Sequence, residues 1–381
     1  MRILLVGRSL EIGGAERQLA LTATALAARG HKVSLALLYR RGPLLVDLDG
    51  TEVEVADLAK RGRYSGFGVV WRFGRLLRNF RPDIVYAHLP VQNLLALFGK
   101  LLLPGTAVVW GLRGSEMVEL HYDYLSGTAR RLEAFASKWA DLTIVNSRSG
   151  ERHALERGFP RERLALVYNG IDIDRFKPDM ISRIKYRSLW GIAPPAVVIG
   201  HVGRIDPMKD HDSFFQALRL LKAGRADFKA VCVAAGPGRA VENLREQAEA
   251  QGIRDVVHIV NQAENVAEII PAFDVFCSSS AFGEGFSNVI AEAIACGIPC
   301  IATDVGEARD LIGDTGIVVP PRRPDALAEA LAVMCERIVR GNAPTSRDVR
   351  ARAEPFTPMA LAGKLETHFQ AMIAQRRSCS T

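Results

Sequence analysis

Two glutamates, Glu284 and Glu292, bound the segment EGFSNVIAE, and every residue between them is small, apolar or neutral. Glu284 lies between Gly283 and Gly285, in a loop after the apolar run DVFCSS. Glu292 lies about two turns further, on the body of a helix expected over 286–296. A carboxylate accepts hydrogen bonds from vicinal hydroxyls, so this spacing suits two sugars held at two places, a ribose and a hexose. Unpaired N–H groups where the helix begins, near Ser287, suit phosphates between them. The plainer reading makes Glu284 a helix-start charge and Glu292 a solvated helix residue, and it leaves the spacing unexplained.

Cations that would complement such phosphates stand in HVGRIDPMKDH, residues 201–211. Arg204 and Lys209 flank a turn built on Asp206 and Pro207, where an apolar strand ends. Arginine presents a fork of donors to a phosphate and lysine a compact charge; the plainer alternative is a surface turn with two solvated cations. Near the start, Gly13 and Gly14 follow the first strand and precede a helix. They allow close backbone approach to a ligand, or form an ordinary turn. They do not make the G-x-G-x-x-G dinucleotide pattern, because six residues separate Gly7 from Gly13. Asn265 is placed to cap a helix, and the loop before it is placed to frame a base.

These groups need a scaffold. A chain of 381 residues suggests two domains. Strand-like runs RILLV, KVSLALL, DIVYA, AVVW, LTIVN and LALVYN alternate with helical stretches near 15–28, 67–80, 91–102 and 127–139. After a break at NGIDIDRFKPD, the alternation resumes with AVVIGHVGR, FKAVCVAAG, DVVHIV, DVFCSS, IPCIATD and GIVVP, with helices near 210–222, 239–251 and 324–340. APTSRD, residues 343–348, reads as another break before an amphipathic tail. The expectation is an α/β protein of two doubly wound domains facing a cleft, with ligands beyond the carboxyl ends of the strands. The domains are placed at 1–175, with the helix of about 356–381 packing back on it, and at 176–355.

No apolar run reaches the length of a membrane span, and the first residues read as a strand rather than a signal peptide. Six scattered cysteines suggest reduced thiols in a cytoplasmic protein. Residues 1–175 hold 25 Lys and Arg against 18 Asp and Glu, and the remainder balances at 24 of each, so the formal charge of +7 belongs to the first half. That asymmetry suggests an anionic partner there, a phosphate or a membrane surface, or a merely solvated basic face.

The segment GEGFSNVIAEAIACGIPCIATDVGEARDLIGDTGIVV, 283–319, resembles the donor-binding region of retaining glycosyltransferase family 4, of the GT-B fold. GGAE at 13–16, VNS at 145–147, VYNGID at 167–172 and VGRIDPMKDH at 202–211 fit the same family in the same order. The resemblance implies a transferase that moves a sugar from a nucleotide-diphosphate sugar, UDP-linked by preference and GDP-mannose as the other option, to a glycan or lipid-diphosphate-linked acceptor. It assigns Arg204 and Lys209 to the diphosphate, Glu292 to the ribose and Glu284 to the transferred sugar. Phe286, Ser287 and Asn288 meet phosphates and sugar, Val266 is on the donor side, and Gly13 and Gly14 close over the donor. Many members carry a histidine after the fourth strand of the first domain; here Arg113 stands in that place and cannot act as a base. Arg113 and His88 are therefore the acceptor-side candidates.

Asp47-Leu-Asp49 and Asp172-Ile-Asp174 have metal-ligand spacing, but Arg204 and Lys209 supply the charge that a metal would bring to the phosphates. No metal or other cofactor is expected, and no nucleic-acid partner. The location implied is cytoplasmic, with peripheral contact to the inner face of the cytoplasmic membrane. A sugar-nucleotide epimerase of similar shape and a non-catalytic sugar-nucleotide-binding protein are the rival readings.

Overall fold

A computed structural model describes residues 1–11, 13–60, 66–113, 124–224, 227–261 and 265–378. The chain divides into two compact units, Met1–Gly170 with Phe356–Thr381, and Ile171–Pro355. In the first, β1 (Arg2–Gly7) is followed by α1 (Gly14–Ala28), β2 (Lys32–Leu37), β3 (Glu54–Asp57), α2 (Gly66–Phe80) and β4 (Ile84–His88). Then come α3 (Pro90–Leu102), β5 (Ala107–Leu112), α4 (Tyr124–Ala136), β6 (Leu142–Val145), α5 (Arg148–Glu156) and β7 (Leu164–Leu166). The second unit runs α6 (Met180–Leu189), β8 (Val197–Arg204), α7 (His211–Gly224), β9 (Phe228–Ala235), α8 (Ala240–Ala250), β10 (Val257–Asn261) and α9 (Val266–Ile269). It continues with β11 (Val275–Ser278), α10 (Asn288–Ala295), β12 (Cys300–Thr303), α11 (Ala308–Ile312), β13 (Ile317–Val319), α12 (Pro324–Val339) and α13 (Ser346–Ala351). The last helix, α14 (Pro358–Ser378), belongs to the first unit.

Both sheets are parallel, with strand orders β3-β2-β1-β4-β5-β6-β7 and β10-β9-β8-β11-β12-β13. A parallel sheet covered on both faces needs apolar residues on both sides of each strand. That is why Ile3, Leu4, Leu5 and Val6 are an unbroken apolar run. Ile3 and Leu5 meet α1 and the Leu361, Leu365 and Phe369 side of α14, whereas Leu4 and Val6 meet Phe73 and Leu77 of α2 and Ala96 of α3. The second unit has the same logic around Ile199, Phe214, Phe215, Phe228 and Leu331.

The apolar runs picked out in the sequence are strands, and the periodic stretches are helices, with the helix expected from 286 beginning at Asn288. β3, α5, α6, α11 and α13 were not anticipated. They are short, and β3 is an edge strand whose residues are exposed or half-buried. APTSRD is no simple break: Thr345 accepts a bond from the Asp348 N–H at 3.2 Å and caps α13. The division between units falls at Gly170 rather than 175, and Gln18 of α1 binds both the Gly170 N–H (2.9 Å) and its carbonyl (2.7 Å).

Candidate functional site

The carboxyl ends of β8, β10 and β11 carry the donor-side candidates of the second unit. Arg204 is the last residue of β8 and is exposed. A 3₁₀ turn, Pro207–Lys209, follows it, capped by Asp206, whose carboxylate accepts from the Met208 N–H at 2.9 Å. Asp210 then adopts a left-handed backbone (φ 47°), and α7 starts at His211. The turn is fastened to the β11 loop from both sides. Ala281 N–H donates to the Met208 carbonyl and the Ser279 hydroxyl to the Lys209 carbonyl, each at 2.8 Å. The aliphatic stem of Lys209 lies along Gly203.

Lys209 and Glu284 form a hydrogen-bonded ion pair, with side chains only 13% and 12% exposed. Glu284 Oε1 also accepts from the Ser280 hydroxyl at 2.9 Å. Burial pushes the Glu284 carboxyl up, but the Lys209 charge and hydrogen bond, Ser280 and the Arg204 charge outweigh it. Its pKa lies below the ordinary carboxylate value. Thr303 supports the same loop by donating to the Ser280 carbonyl at 2.5 Å. Gly306 supports it by close approach: with φ at 62°, a Cβ there would come within 2.3 Å of the Gly285 carbonyl oxygen and 2.6 Å of that of Glu284.

Beyond Gly285, Ser287 caps α10 by its backbone, and its buried hydroxyl has no hydrogen-bond partner among the described residues. The first N–H groups of a helix lack carbonyls one turn earlier, so Phe286, Ser287 and Asn288 lie where an anion is favoured. Glu292 is 3% exposed, on a helix whose residues from Ile290 to Ala295 are all buried. It is not the solvated helix residue of the plainer reading. Val266 is the first residue of α9, with Asn265 accepting from the Ala267 N–H at 3.2 Å as its cap. The loop expected to frame a base, 262–264, lies outside the described residues, as does Cys379. The other five cysteines are free and buried.

A feature of this site that the sequence did not suggest is a buried trio behind the Lys209 turn. His201 and Cys232 are register partners on β8 and β9. One ring nitrogen each of His201 and His211 and the Cys232 sulfur all lie within 4.8 Å of one another. His201 Nδ1 is 3.0 Å from the Cys277 carbonyl oxygen, and Nε2 of both rings has no partner among the described residues. Burial pushes the thiol up to about 12 and both imidazoles down, His211 to about 4 with help from the Lys209 charge. Because the folded value of His211 is depressed, its contribution to stability is complete above about 6.5 and is lost as pH falls toward 4. Wild-type protein is therefore expected to lose about 3 kcal/mol across that window that His211→Leu does not lose. Denaturant unfolding of both proteins at a series of pH values measures it, and parallel curves would contradict it.

In the first unit, Arg113 follows β5 and is held by neutral groups, Tyr86 and His88 on β4 and Asn169 beyond the end of β7. Its guanidinium donates to Asn169 Oδ1 at 2.6 Å and to the Tyr86 hydroxyl at 3.1 Å, and lies 3.3 Å from His88 Nε2. Burial and the Arg113 charge hold His88 well below its ordinary value, so the ring is neutral. With Nε2 turned toward a donor, the ring has no lone pair free for a substrate proton. Gly13 is extended and caps α1, which begins at Gly14. Asp47 lies in a 3₁₀ turn that Asp49 ends. Asp172 Oδ1 accepts from the N–H groups of Asp174 (3.1 Å) and Arg175 (3.0 Å), so that Asp-x-Asp serves a turn.

Two family models match this chain, "Glycosyltransferase Family 4" over residues 12–175 and "Glycosyl transferases group 1" over 196–337. Together they span the second sheet, the first sheet apart from β1, and the loops just described. The chain belongs to glycosyltransferase family 4. It is 32% identical over 183 residues to the putative glycosyltransferase EpsF of Bacillus subtilis, covering 48% of this chain and 46% of that protein. It is 30% identical over 249 residues to the D-inositol 3-phosphate glycosyltransferase of Mycobacteroides abscessus, covering 63% and 54%. The chain thus spans about half the length of these curated relatives. Among solved structures, Anabaena Alr3699/HepE in complex with UDP and glucose superimposes with a TM-score of 0.82 at 22% identity, over 97% of this chain and 100% of that one. The fold of this family 4 member is GT-B, two Rossmann-like sheets in one chain.

Proposed function

We propose that this protein is a retaining glycosyltransferase that moves a sugar from a nucleotide-diphosphate sugar to a glycan or lipid-linked acceptor. The observation that carries the reading is the gathering of Arg204, the Lys209–Glu284 pair and the start of α10 around the carboxyl ends of β8 and β11. Cations and helix N–H groups stabilise charge that develops on a leaving diphosphate. Glu284 and Glu292 supply acceptors for two sets of sugar hydroxyls. Family membership and the names of the relatives support transfer over the rival activities, and UDP in the HepE complex favours a UDP-sugar. Retention follows if the acceptor attacks the face that the diphosphate leaves, with a leaving phosphate oxygen taking the acceptor proton. That route requires no protein base, which accords with Arg113 and a neutral, engaged His88.

Incubation with a panel of UDP- and GDP-sugars tests the reading. Sugar transfer, or slow release of the free sugar without an acceptor, is expected. An isomerised sugar nucleotide, or binding with no turnover, would overturn it. Arg204 and Lys209 do the work of a metal at the phosphates in this scheme, so turnover is expected to persist in EDTA. Its complete loss, with recovery on adding Mn²⁺ or Mg²⁺, would refute the metal-independent form.

A further inference from the structure

The helices α2, α3 and α4 cover one face of the first unit's sheet, with α3 in contact with both neighbours. Their outward sides are unlike those of ordinary surface helices. On α2, Phe67 is 87% exposed and Trp71 57%, and Arg75 and Arg78 continue the same stripe at helical spacing. The exposed positions of α3 are Val91, Phe98 and Leu101, the last 78% exposed. Leu132 and Phe135 on α4 and Trp139 just after it are exposed as well.

Charge on this face has one sign. α2, α3 and α4 together contain a single carboxylate, Glu133. It is fully buried, and accepts from Asn93 at 2.7 Å and Arg157 at 2.9 Å. Arg75, Arg78, Arg131 and Lys138 are exposed and pair with no carboxylate among the described residues. Arg75 stands over the Trp71 ring, and Lys138 stands 4.4 Å and 4.5 Å from the ring centres of Phe135 and Trp139. Lys100 is excluded from this group because Asp141 holds it at 2.8 Å.

We propose that the α2–α3–α4 face docks this protein on a bilayer surface rich in anionic lipid. Water-exposed aromatic and leucine side chains on three adjacent helices exceed the scattered apolar exposure of a free surface. Tryptophan and phenylalanine beside lysine and arginine match the headgroup boundary, where the ring enters the acyl edge and the cation meets a lipid phosphate. Unpaired cations with no exposed carboxylate on the three helices select a negatively charged surface. This inference is independent of the transferase reading, since lipid binding is read without substrate.

Sedimentation of the full chain with phosphatidylcholine vesicles, with and without phosphatidylglycerol, tests it. Binding is expected only to the anionic vesicles, to weaken at raised salt, and to shift Trp emission to the blue. Arg75→Glu with Arg78→Glu is expected to lower the vesicle partition coefficient by roughly tenfold or more. Phe98→Ser with Leu101→Ser should do likewise, and because these side chains face solvent, unfolding curves should stay unchanged. Failure to bind anionic vesicles overturns the proposal. So does a stable homodimer abolished by the same substitutions, which would make the face a self-association surface. Preferential binding of RNA over the vesicles, competed by salt, would likewise overturn it.

Discussion

Lys209→Ala is expected to lower turnover by about ten- to a hundredfold and to destabilise the second unit at the same time. In the proposed scheme the first effect follows from losing a charge-assisted bond to the departing diphosphate, worth on the order of 1.5–3 kcal/mol. The second follows from the ion pair. Glu284 is 12% exposed, and without Lys209 its carboxylate retains Ser280 and a more distant Arg204 as favourable partners. Removing one member of a buried pair typically costs about 3–5 kcal/mol, so the midpoint of unfolding should fall. Lys209→Met combined with Glu284→Gln removes both charges and should restore much of the stability while leaving turnover low. Arg204→Ala, at an exposed residue, should depress turnover without moving the unfolding midpoint. Steady-state rates beside denaturant unfolding separate the effects. Wild-type kinetics in both single variants would remove these cations from the site, and an unchanged midpoint in Lys209→Ala would show that Glu284 finds another partner.

Strand and helix periodicity made most of the scaffold legible, because each buried strand is a continuous apolar run and each long helix repeats its apolar face. The edge strand Glu54–Asp57 lacked that signal, being covered on neither side well enough to need apolar residues throughout. At the site, Glu284 was placed in its loop by Gly283 and Gly285, and Arg204 at a strand end by the run before it. The Lys209–Glu284 pair was not visible, since the two residues are 75 positions apart and meet only because β8 and β11 are neighbours in the sheet. His201, His211 and Cys232 escaped notice for the same reason. A histidine two residues from another motif residue carries no signal until strand register sets it beside a thiol. The burial of Glu292 was legible only in part. Its helix is almost entirely apolar, which argues for burial on all sides, but the sequence alone equally allowed one solvated position. The exposed aromatics of α2 and α4 were hidden by their own periodicity, because a Phe or Trp at helical spacing ordinarily belongs to the core.

Glu284 and Glu292 are expected to fail differently when substituted, and the ion pair sharpens how. Glu292 is buried in the body of α10. If it holds the ribose, Glu292→Ala should weaken binding of UDP and of the intact donor alike, by about five- to a hundredfold for the loss of roughly 1–3 kcal/mol. Glu292→Gln, which keeps the volume, guards against a cavity effect and should show the same direction. Glu284 is paired with Lys209, so its carboxylate competes with a diphosphate for that cation. Glu284→Gln releases the ammonium while keeping the side chain's size and its reach to Ser280. UDP affinity should therefore hold or rise, whereas the transfer rate should fall by about ten- to a hundredfold, because in the proposed scheme the lost acceptor serves only the sugar being moved. Calorimetry with UDP alone and initial rates with the UDP-sugar give the two readings on each variant. Equal losses of UDP affinity in the Glu284 and Glu292 variants would end this division of labour. A tightening in Glu284→Gln alone would mean that the resting ion pair restrains Lys209 until the donor's phosphates displace it.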